Sequence, residues 1–166
     1  MDSCGPLRNL DVLRAKLAEH AGGILSRHAR RFACRLGCDG CCQTERTVSD
    51  VELAALRRGW ARLDDATRER LRARGGDGCP LLLDGGCSLY GERPLICRSH
   101  GLPIVMEGQR DVCPLNFTDT TLDQLDDADL VSVDTITAIL VAVNGVYCTE
   151  TGGDPHRRRP VSALFD

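Results

Sequence analysis

The chain has 166 residues, a length suited to one domain with a core of moderate size, and its composition is ordinary for a globular protein at 42% hydrophobic and 27% charged. Aromatic residues are scarce at 4%, so large rings supply little of the interior, while ten cysteines offer another way of tying the chain together. A net charge of −3 and a pI near 5.8 exclude a wholly basic, nucleic-acid-gripping surface, and no apolar run approaches the roughly 20 residues that span a bilayer.

Met1 to Lys16 lacks the charged start and apolar run of a secretory signal, so a cytoplasmic, reducing setting is expected. There, stable disulfides are disfavoured relative to metal or redox chemistry. Cys4, beside Gly5 and Pro6, is not read as a ligand. Leu10, Leu13, Leu17, Ala21, Ile24 and Leu25 recur at three- and four-residue spacing, which predicts an amphipathic helix from Leu7 to about Arg31, weakened or bent at Gly22 and Gly23. His20 and His28 share a face of that helix and read as surface histidines.

Cys34 to Cys42 then reads C-R-L-G-C-D-G-C-C, four thiols within nine residues. Ionised thiols three or four residues apart can converge on one ion if the backbone turns sharply, and Gly37 and Gly40 permit that turn. Arg31 and Arg35 are expected to lower the neighbouring thiol pKa values. Adjacent side chains diverge, so one of Cys41 and Cys42 should serve a second centre or face the core.

Ser49 and Glu52 form a capping box for a helix to about Trp60, and Asp64 caps a second, Asp65 to Arg74, ended by Gly75 and Gly76. The arginines along this pair (Arg57, Arg58, Arg62, Arg68, Arg70, Arg72 and Arg74) are interleaved with Asp64, Asp65 and Glu69 and read as a solvated, partly salt-bridged face.

A second cysteine group comprises Cys79, Cys87, Cys97 and Cys113. A hairpin turning at Asp84-Gly85-Gly86 brings Cys79 near Cys87, Pro94 starts a short helical turn carrying Cys97, and a second hairpin around Glu107-Gly108-Gln109 returns Cys113. Cys79-Pro80-Leu81 and Cys113-Pro114-Leu115 repeat one tripeptide whose proline stiffens the exit from a ligand position. His100, three residues after Cys97, could supplement a thiolate.

Asp119 to Asp129 reads as acidic loop with a short helical turn, and Ser132 caps a last helix from Val133 to about Tyr147, with Cys148 as a core residue at its end. The expected architecture is α+β: a small irregular metal-centred domain with short β-hairpins, flanked by N-terminal and C-terminal helices. Residues 1–150 form that single domain, and 151–166 a polar tail with Arg157 to Arg159 in solvent.

The C-x-x-x-C-x-x-C-C run at Cys34, C-P-L-L at Cys79, C-S-L-Y-G-E-R-P-L-I-C-R from Cys87 to Arg98 and C-P at Cys113 resemble, in this order, the bacterial YkgJ-like cysteine-cluster family. That family is also called the CxxCxxCC zinc- or iron-chelating domain, and the likeness runs from about Cys34 to Pro114. It implies metal binding through Cys34, Cys38, Cys41, Cys42, Cys79, Cys87, Cys97 and Cys113.

The leading expectation is a cytoplasmic protein holding one or two thiolate-ligated centres, with a four-iron four-sulfur cluster favoured over zinc and a redox role or an accessory role to a modification enzyme. An alternative is a redox or transferase enzyme whose centre adjoins a pocket with Arg93, Arg98 and His100 as cofactor-binding candidates; the plainer reading of both arginines is pairing with Glu92 and Asp111 or bonding to loop carbonyls. A further alternative is a zinc-structured adaptor. Partners are metal ions, with a protein or electron donor in addition; membrane and nucleic acid are not expected. No catalytic triad, P-loop, dinucleotide fingerprint or HExxH motif is present.

Overall fold

In the computed structural model, which describes residues 5–35 and 37–166, the leucine stripe of the first segment becomes the buried side of α1 (Arg8–Arg27), with Leu10, Leu13, Leu17 and Ile24 turned inward. Cys4 lies outside the described residues. Gly22 and Gly23 stay within α1, but the helix ends four residues earlier than the periodicity suggests, because His28 leaves helical geometry and Ala29–Arg31 tighten into a 3-10 turn. His20 and His28 are not simply surface groups: a ring nitrogen of His20 lies 2.8 Å from the Leu130 carbonyl, and one of His28 lies 2.8 Å from the Asp129 carboxylate.

Next come β1 (Thr47–Val48), α2 (Asp50–Trp60) and α3 (Asp65–Ala73). Both caps form as expected: the Glu52 carboxylate accepts from the Ser49 amide at 3.2 Å, and Asp64 accepts from the Thr67 amide at 2.8 Å. The hairpins follow as β2 (Leu82–Leu83) with β3 (Gly86–Cys87), then α4 (Leu95–Ser99), then β4 (Ile104–Met106) with β5 (Gln109–Asp111). Each has a two-residue loop, Asp84-Gly85 and Glu107-Gly108, with all four residues at positive φ, the geometry that matches strand twist. Gly86 and Gln109, expected in the turns, are strand residues. β6 (Val131–Ser132) pairs parallel with β4, and Ser132 caps α5 (Val133–Thr151), which runs one turn past Tyr147 until Gly152 ends it at φ 77°.

The fold is α+β, with helices at both ends and only small sheets between them. One core cluster joins α1, α2, α4 and α5 through Leu10, Val51, Ala55, Leu95 and Leu140. A second gathers Val48, Leu53, Leu56 and Leu81 with Val161, Ala163 and Leu164. Residues 151–166 therefore do not behave as a solvated tail. β7 (Arg159–Pro160) pairs antiparallel with β1, and Val161, Ala163 and Leu164 are buried, because their apolar side chains close a core that few aromatic residues fill. Arg157 and Arg158 are exposed, but Arg159 is half-buried.

The arginines of α2 and α3 have specific partners. Arg58 holds Asp11 through two bonds of 2.6 and 2.7 Å and also bonds Glu92, which in turn accepts from buried Arg14 at 2.6 Å. Arg70 pairs with Asp84, Arg74 donates to the Cys79 carbonyl at 2.9 Å, and Arg72 lies over the Trp60 ring. The face is salt-bridged, and at Arg58 the pairing reaches into the interior.

Candidate metal centre

Phe32, edge-on to Phe117, anchors the chain where it enters the cysteine run, and Phe117 donates its backbone N–H to the Arg31 carbonyl. Gly37, at φ 89°, makes the sharp turn that the sequence called for, and its N–H donates to the Gly85 carbonyl at 3.1 Å, setting the run against the tip of the β2–β3 hairpin. Gly40–Cys42 then forms a 3-10 turn, in which neighbouring residues project in different directions. Cys41 is accordingly exposed and Cys42 half-buried.

The decisive junction follows. The Cys79 N–H donates to the Cys42 carbonyl at 2.7 Å, fastening the second cysteine group to the first. Gly78 makes room for it: the residue sits at φ 94°, and a Cβ there would lie 2.8 Å from the Cys42 oxygen. Gly78→Ala is expected to cost about 2 kcal/mol from backbone strain plus the clash, with weaker metal retention, measured by thermal melts and metal content. A wild-type melt would remove the junction's importance.

From Cys79 the chain turns through β2 and β3 to Cys87, opposite Leu82, and α4 presents Cys97. Cys113 follows β5, and its carbonyl accepts from Asn116 at 2.8 Å. Cys42, Cys79, Cys87 and Cys97 stand close enough to feel one another's charge, as do Cys34 and Cys41. Cys41 also influences Cys79 and Cys87. The neighbour of Cys38, Gly37, bonds to the hairpin, and Asn116 connects Cys113 to Cys34. Among the described residues no three His, Cys, Asp or Glu side chains close into a metal-holding group, and no cysteine is joined in a disulfide. Cys148 is buried core, 2% exposed.

Burial raises the Cys41, Cys42, Cys79 and Cys87 thiols and pushes Cys97 up to about 12, with repulsion between the prospective thiolates adding to the rise. For these five, the expected lowering by Arg31 and Arg35 does not occur. Arg31 is engaged by Asp119 at 3.1 Å, and the cations that oppose the rise are Arg74 beside Cys79 and Arg93 beside Cys87 and Cys97. The backbone amides of Leu81 and Leu89 also oppose the rise at Cys79 and Cys87, favouring their ionised forms. A donor set of crowded soft sulfurs, made costly to ionise first by burial and then by one another, suits thiophilic cations that would neutralise the thiolates they draw together.

Arg93 donates to the Tyr90 carbonyl at 3.1 Å, stacks 3.5 Å over the Tyr90 ring and reaches the Cys97 carbonyl. Arg98 bonds the Arg93 and Gly91 carbonyls. Neither pairs with Glu92 or Asp111; both brace the loop that leads to Cys97, the other half of the plainer reading. His100 is exposed; partial shielding and then the charge of Arg46 lower its pKa, while Asp111 opposes them. A cleft of about 500 Å³ between α4 and α5, lined by Leu95, Ile96, Ser99, Ile136 and Leu140, includes no cysteine and none of Arg93, Arg98 and His100.

Sequence reasoning missed Asn116, whose buried carboxamide meets Cys34, and Gly78 and Gly101, which leave room for the Cys42 carbonyl and the Cys34 sulfur. Asn116 follows the repeated Cys-Pro-Leu step, but nothing in that tripeptide indicates its distant partner.

Two cysteine-bearing segments docked backbone to backbone on a small α+β frame define a cysteine-cluster, metal-chelating class of domain. The chain belongs to the CxxCxxCC family, described as a "Putative zinc- or iron-chelating domain", whose profile matches residues 33–126, more than half of the sequence. No curated protein and no solved structure matches the chain. Among the described residues no helix is long and apolar enough to cross a membrane.

Proposed function

We propose that this chain is a cytoplasmic metal-binding protein whose eight motif cysteines hold two thiolate-ligated centres. Cys42, Cys79, Cys87 and Cys97 make one, supported by their mutual electrostatic influence. Cys34, Cys38, Cys41 and Cys113 remain for the other, supported by Asn116, which links Cys34 to the Cys113 backbone. The observation that carries the reading is the 2.7 Å bond from Cys79 to Cys42, since it brings together two cysteine groups far apart in sequence.

An iron-sulfur cluster is favoured over zinc, because the Cys-Pro steps and the Asn116 N–H donated to the Cys34 sulfur suit a cluster that spreads negative charge over its sulfurs. Bound there, such a group supplies one-electron chemistry; bound zinc supplies structure alone. The protein's part is to orient the thiols, to shield them partly from water and to donate hydrogen bonds to them. Purification without oxygen, followed by metal and acid-labile sulfide analysis and a visible spectrum, tests this. Brown protein with iron and sulfide is the expected result, colourless protein with zinc selects the structural occupant, and protein that takes up neither metal overturns the reading.

The thiol pKa shifts give a pH dependence of definite sign. Because the folded values are raised, the metal-free fold gains stability that is full below the unfolded thiol value of about 8.5 and is lost as pH rises through the folded values. Metal must displace those protons, so its apparent affinity should rise with pH from about 6 to 8. Chelator competition at pH 6, 7 and 8 measures this, and an affinity flat across that range would be inconsistent with thiolate ligation.

A further inference from the structure

Asn116 is 2% exposed, in the loop after Cys113, and its carboxamide makes three hydrogen bonds. Oδ1 accepts from the Ala33 N–H at 2.8 Å, while Nδ2 donates to the Gly101 carbonyl at 2.7 Å and to Cys34 Sγ at 3.3 Å. The first two contacts dictate how the amide lies. A flipped group would set donor against donor at Ala33 and acceptor against acceptor at Gly101. The second Nδ2 hydrogen therefore points at sulfur.

Gly101 completes the cradle. It lies at φ 93°, and a Cβ on it would stand 2.9 Å from Cys34 Sγ, so the sulfur occupies space that any other residue would fill. Cys34 is exposed and could take hydrogen bonds from water, yet a buried amide is directed to it. A neutral thiol accepts a hydrogen bond weakly, whereas an ionised sulfur accepts strongly.

We propose that Asn116 is a positioning residue for Cys34, its buried carboxamide donating an N–H···S bond that orients the Cys34 sulfur and draws off part of its negative charge when it ligates metal. The proposal rests on the metal-binding reading above. The bonds to Ala33 and Gly101 account for the amide's burial but do not act on the sulfur, which separates a positioning role from a purely structural one.

Cadmium-113 is thiophilic and magnetically active, so proton–cadmium through-bond correlation on the loaded wild-type protein reads the bond directly. The expected result is a cross-peak between an Asn116 side-chain amide proton and a cadmium resonance, relayed through the Cys34 sulfur. Cadmium bound without that cross-peak overturns the proposal, whereas a protein that binds no cadmium overturns the metal-binding reading itself. Anaerobic cobalt titrations, followed by thiolate-to-metal charge-transfer absorption, supply the second test. Asn116→Asp keeps the shape and the acceptor for Ala33 but removes both Nδ2 hydrogens, to the Gly101 carbonyl and to sulfur, and should weaken cobalt binding at the centre containing Cys34 by about 10–100-fold. The same change should alter cobalt binding at the other centre by less than about threefold. An equal loss at both centres would show that Asn116 acts only through the fold, by way of Ala33 and Gly101. If the Asp variant does not fold, the wild-type cadmium correlation decides.

Discussion

Cys97→Ser is expected to empty its centre and to lower the melting temperature by roughly 10 °C or more. Cys97 is half-buried in α4, and its thiol is pushed up to about 12, first by burial and then by Cys79, Cys87 and Cys42, so its sulfur is costly to ionise unless a cation is shared. Serine cannot replace a thiolate as a soft ligand. In small metal-built domains the binding energy is folding energy, on the order of 10 kcal/mol per structural site, and even a net loss of about 4 kcal/mol shifts a melt of a chain this size by about 10 °C, which makes that shift the smallest expected. Cys148→Ala, in the core and outside the motif, should retain full metal content. A Cys97→Ser protein with full metal content and the wild-type melt would remove Cys97 from the ligand set.

Glu92→Ala should destabilise the fold by about 3–5 kcal/mol, because it removes the close counter-charge of buried Arg14 and leaves it only Asp11, at 4.0 Å. Arg14 donates to the Glu92 carboxylate at 2.6 Å and to its carbonyl at 2.8 Å, while Arg58 bridges Glu92 to Asp11 and Arg62 approaches from outside at 3.3 Å. Burial pushes the Glu92 carboxyl up, but the hydrogen bonds and charges of Arg58 and Arg14 outweigh it and hold it below the usual glutamate range; Asp11 is lowered chiefly by its bonds to Arg58. Folded values below the unfolded ones mean that the network's stability is present above about pH 4 and is lost as pH falls through the folded values. Denaturant melts from pH 7 to pH 3 should therefore show a steep acid loss in the wild type and a shallower one in Glu92→Ala. Equal slopes would place the acid sensitivity elsewhere.

The elements that were legible are those whose cause is local. Ser49 with Glu52, Asp64 and Ser132 each satisfy amides within three or four residues, so their helices start where the pattern puts them. The hairpins were readable from Asp84-Gly85 and Glu107-Gly108, since only certain residues accept positive φ in a two-residue loop. The last segment is illegible for the opposite reason. Its glycines, prolines and arginines resemble a tail, while the burial of Val161 and Leu164 depends on a surface made by Val48, Leu53 and Leu56 a hundred residues earlier. The parallel pairing of β4 with β6 and the Arg14–Glu92 bond are similarly long-range, and neither has a local pattern to announce it.

By itself the sequence determined the cysteine motif and its family, because cysteine spacing and flanking prolines and glycines are properties of neighbouring residues. Only the tertiary structure decided which cysteine-bearing segments lie against each other. The Cys79–Cys42 bond, the room left by Gly78 and Gly101, and the Asn116 amide at Cys34 arise from segments far apart in the chain, brought together by burial rather than by local preference.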